Sequence, residues 1–191
     1  MDLLTGWDFD KAEDREMAEW YVRTHKPTFL IGSPMCTMFS QLQNLNKDRD
    51  VEKFEERLKN AEKHIQFVVK LYRMQLEGGR YFIHEHPASA SSWKLPCMRD
   101  LWKEKGVHAV IADQCEFGLK SRDKWGDAQA RKPTRFMTNA HCVGETLDVR
   151  CQNAKRNVKE QHRHVQLIGA TRAHDAQEYP KELCEAIVRG T

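Results

Sequence analysis

The amino-acid sequence predicts an α/β fold, with a parallel sheet and helices on both of its faces. Short apolar segments typical of buried strands alternate along the chain with longer segments of helical periodicity. This alternation favours parallel βαβ units with right-handed crossovers. With 191 residues, of which 40% are hydrophobic and 31% charged, the chain fits one globular domain over residues 1–191 with a substantial core.

Four helices are predicted from their boundaries and their periodicity. Asp10 can cap a helix over residues 11–24, which Pro27 ends. A long amphipathic helix over residues 51–76 carries apolar residues at steps of three and four and stops at two glycines. A shorter helix covers residues 96–104, and a helix that begins with a proline covers residues 180–188.

Four strands are predicted between these helices, over residues 28–31, 80–84, 107–112 and 134–138. If the strands are parallel, the residues that follow them meet at the carboxyl edge of the sheet, where open α/β sheets bind ligands. Cys36 follows the first strand in a loop shaped by glycine and proline, Glu85 follows the second and Asp113 follows the third. The sequence therefore predicts a site at this edge.

A cysteine and a carboxylate at one edge could act as nucleophile and proton donor. The alternative for Cys36 is a small buried apolar residue, which is the usual role of a free cysteine. The segment His84-Glu85-His86 has two alternatives of its own, a solvated strand end or a pair of metal ligands.

A basic segment precedes and enters the fourth strand. It contains Arg131, Lys132 and Arg135, and we expect it near the same edge. Cations lower the pKa of a nearby thiol, and guanidinium groups suit phosphates and base edges. The alternative is a solvated loop.

A second candidate site is a zinc-binding insertion over residues 140–165. Cys142, Cys151, His162 and His164 supply four ligands within a segment of low hydrophobic content, where a metal could replace a core. Their spacing differs from that of a standard zinc finger. The alternative is two buried cysteines and two solvated histidines, and Cys115 or His141 could replace one ligand.

The net charge and the cysteine content bear on the partners and the cellular compartment of the protein. The net charge of +3 permits a nucleic-acid partner without requiring one. The six cysteines are dispersed rather than arranged as a disulfide framework, which favours a reducing compartment. We see neither a membrane-spanning apolar segment nor a signal peptide in the sequence, so we predict an intracellular protein of the cytoplasm or nucleus that does not contact membranes.

Four segments, in matching order, resemble motifs of the cytosine-C5 DNA methyltransferase family, in its phage and mobile-element form. The nucleophile loop is similar to CTMFS at residues 36–40, and the Glu-Asn-Val element is similar to EHP at residues 85–87. The basic element before a strand is similar to RKPTRF at residues 131–136. The closing Asn-Ala-x-Pro-x-x-Leu element is similar to AQEYPKEL at residues 176–183.

The resemblance implies a partial Rossmann-like fold of the class I methyltransferase type, and it implies a mechanism. Cys36 would add to C6 of a cytosine that has been flipped out of its stack. Glu85 would hydrogen-bond the N3 edge of the base and favour its protonation. Arg135 or Arg131 would hold the base or the Glu85 carboxylate.

The resemblance also implies S-adenosylmethionine as the methyl donor, with Asp2, Pro34 and Tyr179 as cofactor-binding residues. However, Met35 replaces the proline that normally precedes the cysteine, and no glycine turn precedes Cys36. We therefore expect a chain that begins inside the family's fold and lacks a target-recognition domain. An upstream segment or a second chain would complete the cofactor site, so the domain could be incomplete or inactive alone.

Two other functions compete with this one. The first is a non-catalytic module of a mobile-element polyprotein that binds nucleic acid or protein. The second is a zinc hydrolase that uses His84 and His86. For the enzyme and the binding module, the expected partner includes nucleic acid, with DNA favoured over RNA.

Overall fold

The computed structural model describes residues 1, 3–41, 43, 50–153 and 161–191 of the chain. Within these ranges it contains six α-helices and six β-strands. The helices are α1 (Ala12–His25), α2 (Val51–Glu77), α3 (Pro96–Trp102), α4 (His141–Leu147), α5 (Ala170–Asp175) and α6 (Lys181–Arg189). The strands are β1 (Phe29–Gly32), β2 (Tyr81–Pro87), β3 (His108–Asp113), β4 (Lys120–Asp123), β5 (Gly126–Gln129) and β6 (Pro133–Thr138).

Four of the strands form the main sheet, in the order β1–β2–β6–β3, while β4 and β5 form a separate hairpin. β1 and β2 are parallel, with Leu30 opposite Phe82. β6 is antiparallel to both of its neighbours, with Phe136 opposite Glu85 on one side and opposite Val110 on the other. β1, β2 and β3 therefore point in one direction and β6 points in the opposite one.

The all-parallel sheet expected from the sequence is wrong at β6. A parallel connection needs a crossover of a dozen or more residues, usually a helix. Between β3 and β6 the chain instead forms a short 3-10 helix, Gln114–Phe117, and then the β4–β5 hairpin. These elements return the chain to the edge of the sheet that it has just left. The protein is consequently a mixed parallel and antiparallel α/β fold.

Helices cover both faces of the sheet, as expected. On one face, Phe82 and Met137 of the sheet pack in one apolar cluster with Ile65 and Tyr72 of α2. On the other face, Phe136 packs with residues of α4 and α6, including Val143, Leu147 and Leu183. The alternation of side chains along each strand assigns successive residues to these two clusters.

The four predicted strands and four predicted helices are all present, with boundaries that shift by at most three residues. The predictions missed the β4–β5 hairpin and the short helices α4 and α5. Lys11 rather than Asp10 occupies the cap position of α1, and no side chain caps that end. None of the helices in the described ranges has the length and apolar character needed to cross a membrane.

The last residue of β1 shows how closely α2 packs on the sheet. A Cβ atom at Gly32 would collide with the hydroxyl of Tyr72, a fully buried side chain of α2. Glycine is therefore required at this point for steric reasons, directly before the loop that carries Cys36.

Candidate active site and candidate metal centre

The carboxyl edge of the main sheet brings together five side chains that are far apart in the sequence. We call Ser33, Cys36, Glu85, Lys132 and Tyr179 the edge cluster. Ser33 and Cys36 follow β1, Glu85 lies near the end of β2, and Tyr179 precedes α6. Lys132 directly precedes β6, and it reaches the carboxyl ends of β1 and β2 because β6 is antiparallel to β2.

Glu85 lies at the centre of this cluster and is only 8% exposed. Burial raises the pKa of its carboxyl group, while the charge of Lys132 and a hydrogen bond from Tyr179 act in the opposite direction. Tyr179 donates that hydrogen bond, and its oxygen lies 2.6 Å from the hydroxyl of Ser33. Burial, followed by the charge of Glu85, raises the pKa of Tyr179 well above its ordinary value, so the phenol keeps its proton.

Cys36 is partly buried beside these groups. Burial raises the pKa of its thiol, and the charge of Glu85 raises it further, whereas the charge of Lys132 lowers it. The structure thus places Cys36 where the charge of Glu85 acts on its thiol. In this state the thiol is protonated at neutral pH, so its reactivity depends on the charges of its two neighbours.

Lys132 is the cation of the edge cluster. Burial lowers the pKa of its ammonium group, and the charges of Glu85 and Cys36 counteract that effect. Its Nζ donates a hydrogen bond of 2.6 Å to the carbonyl oxygen of Ala176, which anchors it to the segment before Tyr179. Lys132 belongs to the predicted basic segment, but the roles in catalysis were predicted for Arg131 and Arg135.

Neither arginine lies where those roles require it. Arg135 is opposite His86 on β2, and its guanidinium carbon lies 5.1 Å from the ring centre of Trp93 and 5.5 Å from that of Trp102. Since successive side chains of a strand point to opposite faces, Arg135 shares the face of His86 and not that of Glu85. Arg131 instead forms an ion pair with Asp113, with 3.2 Å between Nε and Oδ1.

The two histidines that flank Glu85 point into the core rather than into solvent. His84 and His86 are both fully buried. Nδ1 of His84 lies 3.0 Å from the hydroxyl of Tyr72, and Nδ1 of His86 lies 2.6 Å from the hydroxyl of Ser92. Burial lowers the pKa of His84 strongly and that of His86 to about 4. The expectation of a solvated strand end is wrong, and in the described part of the chain these histidines do not join a group of three potential metal ligands.

Two of the three residues predicted to bind the methyl donor, Pro34 and Tyr179, lie within the described residues, and both form hydrogen bonds inside the protein. The carbonyl oxygen of Pro34 accepts a hydrogen bond of 2.9 Å from Nε2 of His86. Tyr179 is engaged with Ser33 and Glu85 in the edge cluster. Asp2 lies outside the described residues. These contacts of Pro34 and Tyr179 give no support for S-adenosylmethionine.

A second cluster contains two cysteines and two histidines that could hold a metal ion. One ligand atom from each of Cys115, Cys151, His162 and His164 lies within 4.8 Å of every other. The Cys151 sulfur is 3.6 Å from Nε2 of each histidine, and the two Nε2 atoms are 2.9 Å apart. Both cysteines are buried, as expected for a closed site.

The fourth ligand differs from the one predicted. Cys142 is exposed near the start of α4, a helix that packs on the main sheet, and it lies outside this cluster. Cys115, a predicted alternative ligand, takes its place from the short 3-10 helix after β3. The structural cause is a backbone hydrogen bond of 2.9 Å from Asp113 to Val149, which brings the chain near Cys151 back to the end of β3.

Asp113, the third residue predicted at the edge, is the support of this metal cluster. Its Oδ2 accepts hydrogen bonds from Nε of Arg150 at 3.0 Å and from the backbone N–H of Cys151 at 2.9 Å. Its side chain is completely buried, and the guanidinium groups of Arg131 and Arg150 compensate its charge. Asp113 therefore fixes the position of the Cys151 backbone rather than taking part in the edge cluster.

No family model, no curated protein and no solved structure matches this chain. Its function is therefore to be inferred from these two clusters and from the surface around them.

Proposed function

We propose that the chain is a cytosine-C5 methyltransferase-like domain that acts on nucleic acid through the thiol of Cys36. The observation that carries the proposal is the edge cluster, in which the charges of Glu85 and Lys132 act on Cys36 from the ends of three different strands. A nucleophile, a buried carboxyl group and a cation are thus gathered at the edge where α/β sheets bind ligands.

The sheet supports this proposal as well. The strand order is β1–β2–β6–β3, and β6 runs opposite to the two strands that flank it. This arrangement is compatible with part of a class I methyltransferase-type sheet, which carries one antiparallel strand in an otherwise parallel set. In this arrangement the segment that resembles the family's basic element begins at the carboxyl edge. Lys132 then takes the position that the resemblance gave to Arg131 or Arg135.

The chemistry follows from the charges of the cluster. The Cys36 thiol would first lose its proton to water. The thiolate would then form a bond to C6 of cytosine, the electron pair of the C5–C6 double bond would become a π bond between C4 and C5, and the π pair between C4 and N3 would move to N3. The raised pKa of Glu85 favours its protonated form, which can donate that proton to N3 and so neutralise the ring. Lys132 would stabilise the thiolate before the attack. C5 then becomes nucleophilic and can take up a proton or a methyl group.

The proposed reaction requires the edge cluster to open before a base can enter. Glu85 is nearly inaccessible, and Tyr179 covers it together with Ser33. A base that has been flipped out of its stack could reach Cys36 only after Tyr179 or the loop after β1 has moved. We assign no methyl-donor site to the described residues, and a donor site completed by an upstream segment or by a second chain remains a prediction.

Exchange of the C5 hydrogen tests the proposal without a methyl donor. Addition of Cys36 to C6, protonation at C5 and reversal of both steps would release tritium from an oligonucleotide that carries cytosine tritiated at C5. We expect release with the wild type and none above background with Cys36→Ala. The matched control is Cys97→Ala, another partly buried free cysteine, which should leave the rate unchanged. Release that persists in Cys36→Ala, or no release by the wild type, would contradict the proposal.

A second candidate function is a non-catalytic module that binds nucleic acid, as part of a mobile-element polyprotein. The observation that favours it is the raised pKa of Cys36, which is opposite to the lowered pKa of an activated nucleophile. This candidate predicts oligonucleotide binding that survives Cys36→Ala, together with no tritium release by any variant.

We also propose that the metal of the second cluster is zinc. Zinc–sulfur and zinc–nitrogen bonds of about 2.3 and 2.0–2.1 Å place sulfur and nitrogen about 3.6 Å apart at a tetrahedral centre. The two sulfur–nitrogen distances around Cys151 have that length. Four protein ligands fill a tetrahedral site completely, so zinc here would have a structural role rather than a catalytic one.

A further inference from the structure

The β4–β5 hairpin carries an exposed tryptophan that the fold does not use. Trp125 lies in the turn between β4 and β5 and is 72% exposed. The ammonium group of Lys124 lies 4.3 Å from the centre of its ring, close enough for a cation–π interaction. A tryptophan ring that is exposed beside a lysine offers both a flat apolar face and a positive charge to a ligand.

Two surface grooves lie alongside the hairpin and share Arg172 of α5. The first has a volume of about 450 Å³ and is lined by Trp125, Lys124 and Arg163, among others. The second has a volume of about 550 Å³ and is lined by Lys120 and Arg122, among others. The hairpin and α5 thus form one continuous surface with Trp125 at one end.

This surface is cationic. The side chains that line the two grooves include five lysines and arginines against three aspartates, Asp123, Asp127 and Asp175. Asp123 pairs with Arg163 and Asp127 pairs with Arg122. None of the salt bridges found among the described residues involves Lys120, Lys124 or Arg172.

The hairpin is also held in place by the segment that carries the metal ligands. Arg163, which lies between His162 and His164 in the sequence, binds Oδ2 of Asp123 at 2.6 Å and the carbonyl oxygen of Gly126 at 2.9 Å. His164 forms a β-bridge with Gln129 of β5. These contacts fix the turn that carries Trp125, which reduces the entropy lost when a ligand binds to it.

We propose that this hairpin surface binds single-stranded nucleic acid, with an unpaired base stacked on Trp125 and phosphates held by Lys120, Lys124 and Arg172. A single strand fits because a tryptophan face stacks only on a base that is not already stacked in a duplex, and because cationic grooves follow the backbone of such strands. The hairpin leaves the main sheet at the end of β3 and returns at β6, so it projects from the same edge as the edge cluster. This inference rests on the proposed function only in that nucleic acid is the partner of both.

Fluorescence anisotropy with a labelled oligothymidine strand tests this inference. The strand contains no cytosine, so its binding is independent of the chemistry proposed for Cys36. We expect Trp125→Ala to weaken binding at least about fivefold, because stacking of one base contributes about 1–3 kcal/mol. The matched control is Trp20→Ala on α1, also an exposed tryptophan at 54%, which should bind like the wild type.

The dependence on salt gives a second measurement. The double variant Lys124→Ala/Arg172→Ala should lower the slope of log affinity against log salt by about 1.4, since each phosphate contact on a single strand contributes about 0.7. Equal affinity of Trp125→Ala and the wild type would overturn the inference, as would equal weakening by Trp20→Ala or tighter binding of a duplex. If tritium release fails while the oligothymidine result holds, the proposed chemistry is wrong and this inference stands.

Discussion

The hydroxyl oxygens of Ser33 and Tyr179 lie 2.6 Å apart, although 146 positions separate them in the sequence. Tyr179 in turn donates to Glu85, so the segment before α6 is tied both to the loop that carries Cys36 and to the buried carboxyl group. Lys132 is anchored to the same segment through the carbonyl oxygen of Ala176. The edge cluster is therefore one unit, in which a change at any member should alter the pKa of Cys36.

The first prediction concerns the ionisation of Cys36. Its thiol should react with iodoacetamide with a pH midpoint above 9.0, because burial and the charge of Glu85 both raise its pKa. Glu85→Gln removes the negative neighbour and should move the midpoint down. Lys132→Met removes the positive neighbour and should move it up. Mass spectrometry of the peptide that contains Cys36 measures the rate at each pH.

Cys97 provides the internal control for this experiment. Burial raises its pKa too, but the charges that act on it are those of Glu62 and Asp100 and not those of the edge cluster. The midpoint of Cys97 should therefore be the same in all three proteins. Identical midpoints for Cys36 in the two variants would show that Glu85 and Lys132 do not face the thiol.

The second prediction concerns the metal. The purified protein should bind one zinc ion, and Cys115→Ser and Cys151→Ser should each weaken this binding strongly by removing a thiolate ligand. At a free zinc concentration of about 100 times Kd, the free energy of unfolding should rise by about 2.7 kcal/mol. Metal analysis and urea unfolding with and without a chelator measure both effects.

Cys142→Ser is the matched control, because Cys142 is exposed on α4 and outside the cluster. The sequence pattern alone would have made it a ligand. If Cys142→Ser lost the metal while Cys115→Ser retained it, the arrangement of the second cluster described above would be wrong.

The sequence predicts those features that depend on neighbouring residues and misses those that depend on distant ones. Periodicity and glycine or proline boundaries act within a few residues, and they were sufficient to identify β1, β2, β3 and β6. The direction of β6 depends instead on the path of the chain between Asp113 and Pro133. That path contains two four-residue strands, KSRD and GDAQ, which are polar and short, so their pattern does not stand out from a loop.

The wrong residues predicted at the two sites also result from contacts between segments that are distant in sequence. Reversal of β6 places its first residues at the carboxyl edge, and the alternation of side chains then separates Arg135 from Glu85. Lys132 carries the same charge as Arg131 and Arg135, so charge alone could not single it out. Cys115 is distant in sequence from the other ligands, and hydrogen bonds of Asp113 with Val149, Arg150 and Cys151 bring the two segments together.

The third prediction concerns stability in acid. Nε2 of His86 donates to the carbonyl oxygen of Pro34, so its Nδ1 accepts from Ser92, and this neutral histidine is buried. Burial lowers its pKa from 6.5 to about 4. Between these values the unfolded chain binds a proton that the folded protein excludes. The stability contributed by neutral His86 is therefore present above pH 6.5 and is lost as the pH falls toward about 4.

At about 1.4 kcal/mol per pKa unit, this loss amounts to about 3 kcal/mol. His86→Gln should be less stable than the wild type at neutral pH, because it lacks one or both hydrogen bonds, but its free energy of unfolding should fall less on acidification. Acidification also destabilises both proteins through His84, whose pKa is lowered, and stabilises both through Glu85, whose pKa is raised. Because these two effects are common to both proteins, the difference between their curves isolates His86. Urea unfolding between about pH 7 and pH 4.5 measures it. The control variant is His141→Gln, because His141 is exposed and its replacement should leave the wild-type curve unchanged. Parallel curves for His86→Gln and the wild type would show that His86 is not buried as a neutral side chain.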